Sequence, residues 1–216
     1  MRKISLLVTD DHTLVRQSWV MWFNSDSRFE VVGECSSGEE AVELAKTTRP
    51  DVVLMDISLM GMNGFEATAQ IRKYSPGSKV LAVSAFTQPV YVRQMMKAGA
   101  MGYITKNSSP EEMFTGIVEV HNNRKYICDD VKDILVTRIA NNEGHPLKGI
   151  HSLSTSELRI IGFLRKGFTS KEIAVQSNLS TKTVDAHRYN ILKKLELPNV
   201  ASLVNYINNS ELAMSV

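Results

Sequence analysis

Short runs of apolar and β-branched residues recur along the first 125 residues, with helical patterns between them. The runs are ISLLV at 4–8, FEVV at 29–32, VVLM at 52–55, KVLAV at 79–83 and GYIT at 102–105. The helical stretches are 13–24, 37–47, 64–74, 89–98 and 110–121. Strands that alternate with helices predict a parallel sheet covered by helices on both faces. These five units therefore predict a small, doubly wound, five-stranded α/β domain.

The pattern changes after residue 125. One more helix is predicted at 129–140, and the stretch 141–152, with Gly, Pro and Asn and no apolar period, is predicted to be a linker. Four short helical patterns follow with no strand pattern, and three of them open with helix-capping residues: Ser154, Thr169 and Ser180. We predict an α/β domain at 1–125, a linker with one helix at 126–149, and a small all-α domain at 150–216.

The charge distribution separates the two ends of the chain. The composition is 43% apolar, which is enough for a real core, and the net charge is +2. Residues 1–146 carry 16 Lys/Arg and 18 Asp/Glu, whereas 147–216 carry 9 and 5. A basic C-terminal end suggests contact with nucleic acid, although a solvated basic face would give the same balance.

Two further features concern the compartment. Cys35 and Cys128 lie far apart without metal-ligand spacing, so both are expected to be reduced thiols. The N-terminal MRKISLLVTDD has five apolar residues before two acids, too few for a signal-peptide core, and no run reaches the roughly 18 apolar residues of a membrane span. We expect a cytoplasmic protein with no membrane partner.

Charged and polar side chains follow the predicted strands. Strand 1 is followed by two acids, strands 3 and 4 end in an acid and a hydroxyl, and strand 5 is followed by an amine; these are Asp10 and Asp11, Asp56, Ser84, and Lys106. The carboxyl ends of the strands in an open α/β sheet form the ligand crevice. The sequence therefore predicts that these five side chains meet in one crevice.

Three carboxylates in one crevice repel one another, and a hard divalent cation removes the conflict. Mg²⁺ is the usual choice beside a phosphate. Asp56 lies in the middle of the group and is the natural nucleophile for an aspartyl-phosphate, while Lys106 and Ser84 would hold the phosphoryl group. Any single Asp after a strand can instead be a turn residue or a helix cap, but all five positions at strand ends favour a site.

The stretches DDH, LMDISLMGMNG, VSAF and GYITK resemble the receiver domain of bacterial two-component response regulators over residues 1–125, a flavodoxin-like fold. The resemblance implies that Asp56 accepts a phosphoryl group from a histidine kinase or a phosphotransfer protein. It implies an Mg²⁺ site made by Asp10, Asp11, Asp56 and the backbone carbonyl of Ser58. Ser84 and Tyr103 would be the switch pair, although an aromatic in a terminal strand is also ordinary core. Receivers usually have Pro where this chain has Met60, so the path of the turn after Asp56 is open.

The second of two helices joined by the tight turn SNLS is the candidate DNA-reading helix. Helical spacing places Val184, Ile191 and Leu195 on a core-facing stripe. Arg188 falls on the same side, so the aliphatic part of its side chain is expected to pack on the core. The other positions, together with residues near the preceding helix, are candidate DNA contacts: Thr169, Lys171, Lys182, Thr183, Asp185, Ala186, Tyr189, Asn190, Lys193 and Lys194. A small helical bundle with a solvated basic face remains the alternative.

Residues 150–210 are similar to the LuxR-type helix-turn-helix, and its place after a receiver matches regulators of the NarL/FixJ type. The resemblance implies that the last helix, at about 200–208, pairs two copies of the domain in a homodimer on DNA. Its apolar residues could form that seam or pack internally; they are Val200, Leu203, Val204 and Ile207.

The sequence thus predicts a phosphorylation-controlled, DNA-binding transcription regulator rather than an enzyme. An Mg²⁺-dependent phosphohydrolase with an aspartyl-phosphate is the alternative, but that class typically carries an acid two residues after the nucleophile, where this chain has Ser58. A receiver that acts only through protein contacts is a third possibility.

Overall fold

The computed structural model describes residues 2–140, 153–177 and 179–209. The chain divides into a first unit, Met1–Ala140, and a second unit, Asn141–Val216. The predicted linker at 141–152 lies outside the described residues. In the part of the chain that is described, no helix is long and apolar enough to cross a membrane.

The first unit contains a parallel sheet in the order β2-β1-β3-β4-β5-β6. Its strands are β1 (Ile4–Thr9), β2 (Phe29–Cys35), β3 (Val52–Asp56), β4 (Lys79–Ser84), β5 (Gly102–Thr105) and β6 (Tyr126–Ile127). The order reverses at β1, because β2 lies on one side of it and β3 on the other. The carboxyl ends of β1 and β3 therefore flank the position where ligands bind in such sheets.

Helices connect the strands and cover the sheet. They are α1 (Thr13–Ser25), α2 (Gly38–Thr48), α3 (Gly64–Tyr74), α4 (Pro89–Ala98), α5 (Pro110–His121) and α6 (Asp129–Ala140). Ser37, Asn63 and Ser109 cap three of these helices by accepting a hydrogen bond from a backbone N–H in the first turn. The central strand β3 is buried along its whole length, as expected for a strand covered on both faces.

The predicted α/β class is confirmed, with one more strand than the five expected. β6 has two residues and pairs in parallel with β5, where Gly102 lies opposite Tyr126. A two-residue strand carries no apolar run or alternation, so the sequence pattern gave no signal for it. Helix α6, which the sequence placed in the linker, contacts α4 and β5 in the first unit. The predicted boundaries at 125, 149 and 150 stay a prediction.

The second unit is helical over its described residues. Its helices are α7 (Thr155–Arg165), α8 (Ser170–Ser177), α9 (Thr181–Leu195) and α10 (Val200–Asn209). Helix α9 contacts α7, α8 and α10, so it is the central helix of the unit. Its buried residues are Val184, Ile191 and Leu195, the stripe predicted from helical spacing.

Candidate functional site

Two carboxylates are buried at the carboxyl edge of the sheet. Asp10 directly follows β1 and is fully buried, and Asp56 is the last residue of β3 and is 1% exposed. Asp11, the next residue after Asp10, is more exposed. Oxygen atoms of these three side chains lie within 4.8 Å of one another. The crevice expected from the sequence therefore contains a compact acidic cluster.

Lys106 supplies positive charge to this cluster. Its Nζ lies 2.7 Å from Oδ2 of Asp10 and 3.0 Å from Oδ2 of Asp56. The residue follows β5, where its backbone N–H donates to the carbonyl of Ser84 over 2.8 Å. Neighbouring strand ends thus hold the amine against both buried carboxylates, and one amine is shared between two acids.

The electrostatics follow from that sharing. Burial raises the pKa of the Asp56 carboxyl; Lys106 lowers it, Asp10 raises it again, and the net shift is upward. Burial alone would lower the pKa of Lys106, but the two carboxylates outweigh burial and raise it. Lys106 therefore stays charged. Burial and Asp10 destabilise the ionised form of Asp56, and a further cation beside it would stabilise that form.

The acidic cluster fits a divalent cation by the chemistry of its donors. Carboxylate oxygens are the ligands that hard cations prefer. The Nδ1 atom of His12 lies in the same group, 2.9 Å from Oδ1 of Asp11 and 3.1 Å from Oδ1 of Asp10. Sequence reasoning missed His12, although its place directly after the two acids was a usable signal.

The turn after Asp56 packs closely around the acid. Ser58 donates its backbone N–H to Oδ1 of Asp56 over 3.2 Å. A Cβ at Gly64 would lie 2.1 Å from the Asp56 carbonyl oxygen, so only glycine fits there. Gly61 has φ +73°, the left-handed region, and Met60 is exposed. This defines the turn path that the sequence left open.

Ser84 and Tyr103 are both fully buried near the same edge of the sheet. The Ser84 hydroxyl accepts a hydrogen bond from the Phe86 N–H over 3.1 Å, and the Tyr103 hydroxyl donates to the Phe86 carbonyl over 2.7 Å. Burial raises the pKa of Tyr103, which keeps its hydroxyl protonated as a donor. Tyr103 is therefore core packing and also a hydrogen-bond partner of the segment that follows Ser84.

In the second unit, most predicted DNA contacts lie on the outer surface. The exposed residues are Thr169 and Lys171 near α8, and Lys182, Thr183, Asp185, Ala186, Tyr189, Asn190 and Lys193 on α9. Tyr189 is 66% exposed. The described part of α9 thus presents lysines, a small residue and an aromatic to solvent.

Lys194 forms an ion pair within the second unit. Its Nζ donates to Oε2 of Glu157 over 2.6 Å, and Glu157 also completes the cap of α7 by accepting from the Ser154 N–H. Burial would raise the pKa of Glu157, but Lys194 and Ser154 outweigh it and lower the pKa. Sequence spacing could not show that this ammonium pairs with a buried acid on another helix. A DNA contact of Lys194, whose side chain is partly exposed, stays a prediction.

Asp185 also has partners within the second unit. The Ser170 hydroxyl at the start of α8 donates to Oδ1 of Asp185 over 2.7 Å. Arg188 lies one turn further along α9, with Nη1 3.9 Å from the same oxygen and in contact with the Ser170 hydroxyl. This cluster links α8 to α9 and favours an orienting role for Asp185 over direct reading of a base.

The apolar residues of α10 divide into two groups. Leu203 and Ile207 are buried inside the second unit, where α10 contacts α7 and α9. Val200 and Val204 are half-buried. Internal packing therefore uses two of the four residues that could have formed a seam between two copies.

Comparison with known proteins matches both units. The family model for the response regulator receiver domain matches residues 6–118, and the model for bacterial regulatory proteins of the luxR family matches residues 151–207. Response regulator UvrY of Escherichia coli K12 is 36% identical over 197 residues, which cover 90% of this chain and 88% of that protein. Oxygen regulatory protein NreC of Staphylococcus carnosus is 33% identical over 208 residues, which cover 94% and 96%.

A solved structure matches along almost the whole chain. It is the response regulator ChrA of a heme-sensing two-component system, with a TM-score of 0.55 and 25% identity. The match covers 96% of this chain and 98% of that chain.

Proposed function

Because the chain belongs to the bacterial response regulators that join a receiver domain to a LuxR-type DNA-binding domain, we propose that Asp56 is its phosphoacceptor. The chain is a DNA-binding transcription regulator and not an enzyme, so the phosphohydrolase alternative is set aside. The receiver with no DNA contact is set aside for the same reason. The observation that carries the proposal is the buried contact of Lys106 with both Asp10 and Asp56.

The chemistry follows from this contact. A carboxylate oxygen of Asp56 attacks the phosphorus of a phosphohistidine donor, a histidine kinase or phosphotransfer protein. The P–O bond forms as the P–N bond breaks, and the electron pair returns to the donor imidazole. Lys106 neutralises part of the charge on the phosphoryl oxygens, and such neutralisation, together with positioning, is most of what this transfer requires. The proposed donors are typical of receivers.

Receivers bind Mg²⁺ at an acidic pocket, and this chain has such a cluster. We propose that Asp10, Asp11, Asp56 and the carbonyl of Ser58 hold the ion here. When bound, Mg²⁺ supplies positive charge beside the phosphoryl group. Burial raises the pKa of Asp56, and a cation beside the carboxylate would favour its ionised form.

The switch pair is proposed to be Ser84 and Tyr103. Phosphorylation adds about −2 charge and three acceptor oxygens beside Asp56, which draws the Ser84 hydroxyl toward the phosphoryl group. Ser84 and Tyr103 both bond to the Phe86 backbone, so movement of one hydroxyl changes the hydrogen-bonding environment of the other. This shared partner supports the pairing.

DNA contact is assigned to the exposed face of α9 and the start of α8. We propose that Thr169, Lys171 and Lys182 contact phosphates, since lysines and helix N-termini favour anions. The groove-facing residues are proposed to be Thr183, Ala186, Tyr189, Asn190 and Lys193. Asp185 is proposed to orient this face through its contact with Ser170.

Two copies of the chain are proposed to bind together on DNA. Val200 and Val204 are the half-buried apolar residues of α10 that remain for such a contact. Sedimentation of the chain with and without a DNA fragment that carries its binding site measures how many copies bind. One copy on every DNA site would contradict the proposal. Location in the cytoplasm stays a prediction.

The phosphoacceptor is tested by mass. The full chain is treated with a small acyl-phosphate and Mg²⁺, and the intact mass should increase by one phosphoryl group. Asp56→Asn should show no increase, whereas the control Asp130→Asn, at an exposed acid of α6, should match the wild type. A phosphoryl group on Asp56→Asn equal to that on the wild type would contradict the assignment.

A further inference from the structure

His12 contributes a nitrogen atom to the edge of a cluster otherwise made of carboxylates. Its Nδ1 lies 3.1 Å from Oδ1 of Asp10 and 2.9 Å from Oδ1 of Asp11. One such atom from each of His12, Asp10, Asp11 and Asp56 lies within 4.8 Å of the others. The imidazole is therefore part of the group of atoms that faces the cation site proposed above.

Neither packing nor helix capping explains the placement of this ring. The His12 side chain is 64% exposed, so surrounding residues do not confine it. His12 is the N-cap residue of α1, yet its side chain makes no capping hydrogen bond. The contacts that hold the ring over the cluster are those with the acids.

The spacing of these atoms suits a common cation. Adjacent ligands of an octahedral ion with bonds of about 2.1 Å lie about 3.0 Å apart. The two distances from Nδ1 to the acids match this edge length. We propose that the His12 imidazole is a nitrogen ligand of the cation site, which makes this receiver accept Mn²⁺ and other first-row transition cations in preference to Mg²⁺.

The preference follows from donor chemistry. Mg²⁺ is bound by oxygen atoms and keeps its waters, whereas imidazole suits Fe, Ni, Cu and Zn ions, and Mn²⁺, which also accepts oxygen ligands, stands at the low end of the same affinity series. A nitrogen ligand therefore strengthens the binding of first-row transition cations, Mn²⁺ included, and leaves Mg²⁺ binding dependent on the carboxylates. The inference rests on the proposed function, because it needs the acidic cluster to bind a cation.

A hydrogen bond from Nδ1–H to the two carboxylates produces the same distances. The two arrangements have opposite consequences for a metal. A ring that only donates hydrogen bonds occupies the carboxylate oxygens, so its removal strengthens the binding of every cation. If the ring is a ligand, its removal weakens the binding of transition cations.

The test uses the full chain and two variants, His12→Ala and His12→Gln. Glutamine can still donate hydrogen bonds to the acids but has no imidazole nitrogen. His121→Gln is the matched control, since His121 ends α5 and its carbonyl accepts from Lys79 at the start of β4, at the other end of the strands. Pulsed EPR on bound Mn²⁺ reports the coupling to a coordinated imidazole ¹⁴N, and calorimetry gives the Mn²⁺ and Mg²⁺ affinities.

We expect the ¹⁴N coupling in the wild type and in His121→Gln, and its loss in both His12 variants. Mn²⁺ affinity should fall at least about tenfold in His12→Gln, since loss of even an outer partner costs a metal site that much. Mg²⁺ affinity should change less than about twofold, since its ligands are oxygens. Coupling that persists in His12→Gln, or stronger binding of both metals, would overturn the inference.

A fourth variant separates this inference from the proposed function. Asp11→Asn should lose most of its affinity for both cations. If it does so while the His12 variants bind like the wild type, the acidic site stands and His12 is not a ligand. If Asp11→Asn binds both cations like the wild type, the proposed site is wrong and the inference fails with it.

Discussion

Asp56→Asn should stabilise the first unit when no metal is bound. Asp56 is buried beside Asp10, which shares the Lys106 amine with it, and close to the more exposed Asp11. Asparagine keeps the shape and the acceptor oxygen of the side chain but removes one negative charge. The variant therefore relieves repulsion without creating a cavity.

The magnitude follows from the distances. Asp10 and Asp11 have oxygens within 4.8 Å of Asp56, so each repels it by about 3.5 kcal/mol at an effective dielectric constant of about 20. Lys106 at 3.0 Å attracts it by about 5.5 kcal/mol on the same basis. Repulsion exceeds attraction by roughly 1.5 kcal/mol. Burial is the largest cause of the raised pKa of Asp56, and Lys106 and the hydrogen bond from Ser58 offset part of it.

Urea unfolding followed by tryptophan fluorescence measures this change. Both tryptophans of the chain lie in α1, so the signal reports the first unit. At pH 7 with a chelator, the variant should gain about 1–2 kcal/mol in free energy of unfolding, as the excess of repulsion over attraction predicts. Mg²⁺ should stabilise the wild type and narrow the difference.

The pH dependence has a definite sign. The pKa of Asp56 is raised in the folded state. The loss of stability caused by its ionised form is therefore absent below the ordinary carboxyl pKa, where the carboxyl is protonated in both the folded and the unfolded state. This loss of stability grows as the pH rises and is complete above the raised pKa of the folded state. Asp51→Asn is a control with the opposite expected effect. Burial would raise the pKa of Asp51, but hydrogen bonds from Ser5 outweigh burial and lower it. The Asp51→Asn variant should therefore lose stability. A metal-free Asp56→Asn variant no more stable than the wild type would show that the ionised Asp56 carboxylate does not destabilise the first unit.

Three further substitutions test other contacts. Lys194→Met should cost the second unit about 1–2 kcal/mol, because Glu157 loses a charged hydrogen bond, and faster hydrogen exchange in α7 would show it. Gly64→Ala should cost the first unit at least about 2 kcal/mol, because its Cβ would meet the Asp56 carbonyl, and tryptophan-detected unfolding would show it. Asp185→Ala should weaken binding to the best DNA site without changing the preferred base at any position, as binding to a library of single-base variants would show. Unchanged stability in either of the first two, or a relaxed preference at one base in the third, would contradict the contact concerned.

The sequence predicted the residues that meet in the crevice because strand ends of a parallel sheet are fixed by topology. Once β1, β3 and β5 were read from their apolar runs, the positions after them had to lie at one edge. The stripe of α9 was equally predictable, since Val184 and Ile191 follow helical spacing. Apolar runs and helical spacing are local patterns, and each predicts one arrangement of side chains.

The remaining features depend on contacts between distant positions. Lys194 pairs with an acid 37 residues earlier, and nothing in the pattern near either residue indicates this. The short strand β6 exists only because β5 offers an edge beside it. His12 belongs to the acidic cluster through the direction of its side chain, which depends on backbone angles at the start of α1. Periodicity reports burial and element type, but not these pairings.

Phosphorylation of Asp56 is proposed to control DNA binding by the second unit. The dissociation constant for the best DNA site, measured at fixed salt with and without the acyl-phosphate donor in the wild type and in Asp56→Asn, tests this control. We expect the donor to change the DNA affinity of the wild type and to leave that of the variant unchanged. An equal change in both proteins, or no change in a wild type shown by mass to be phosphorylated, would contradict it.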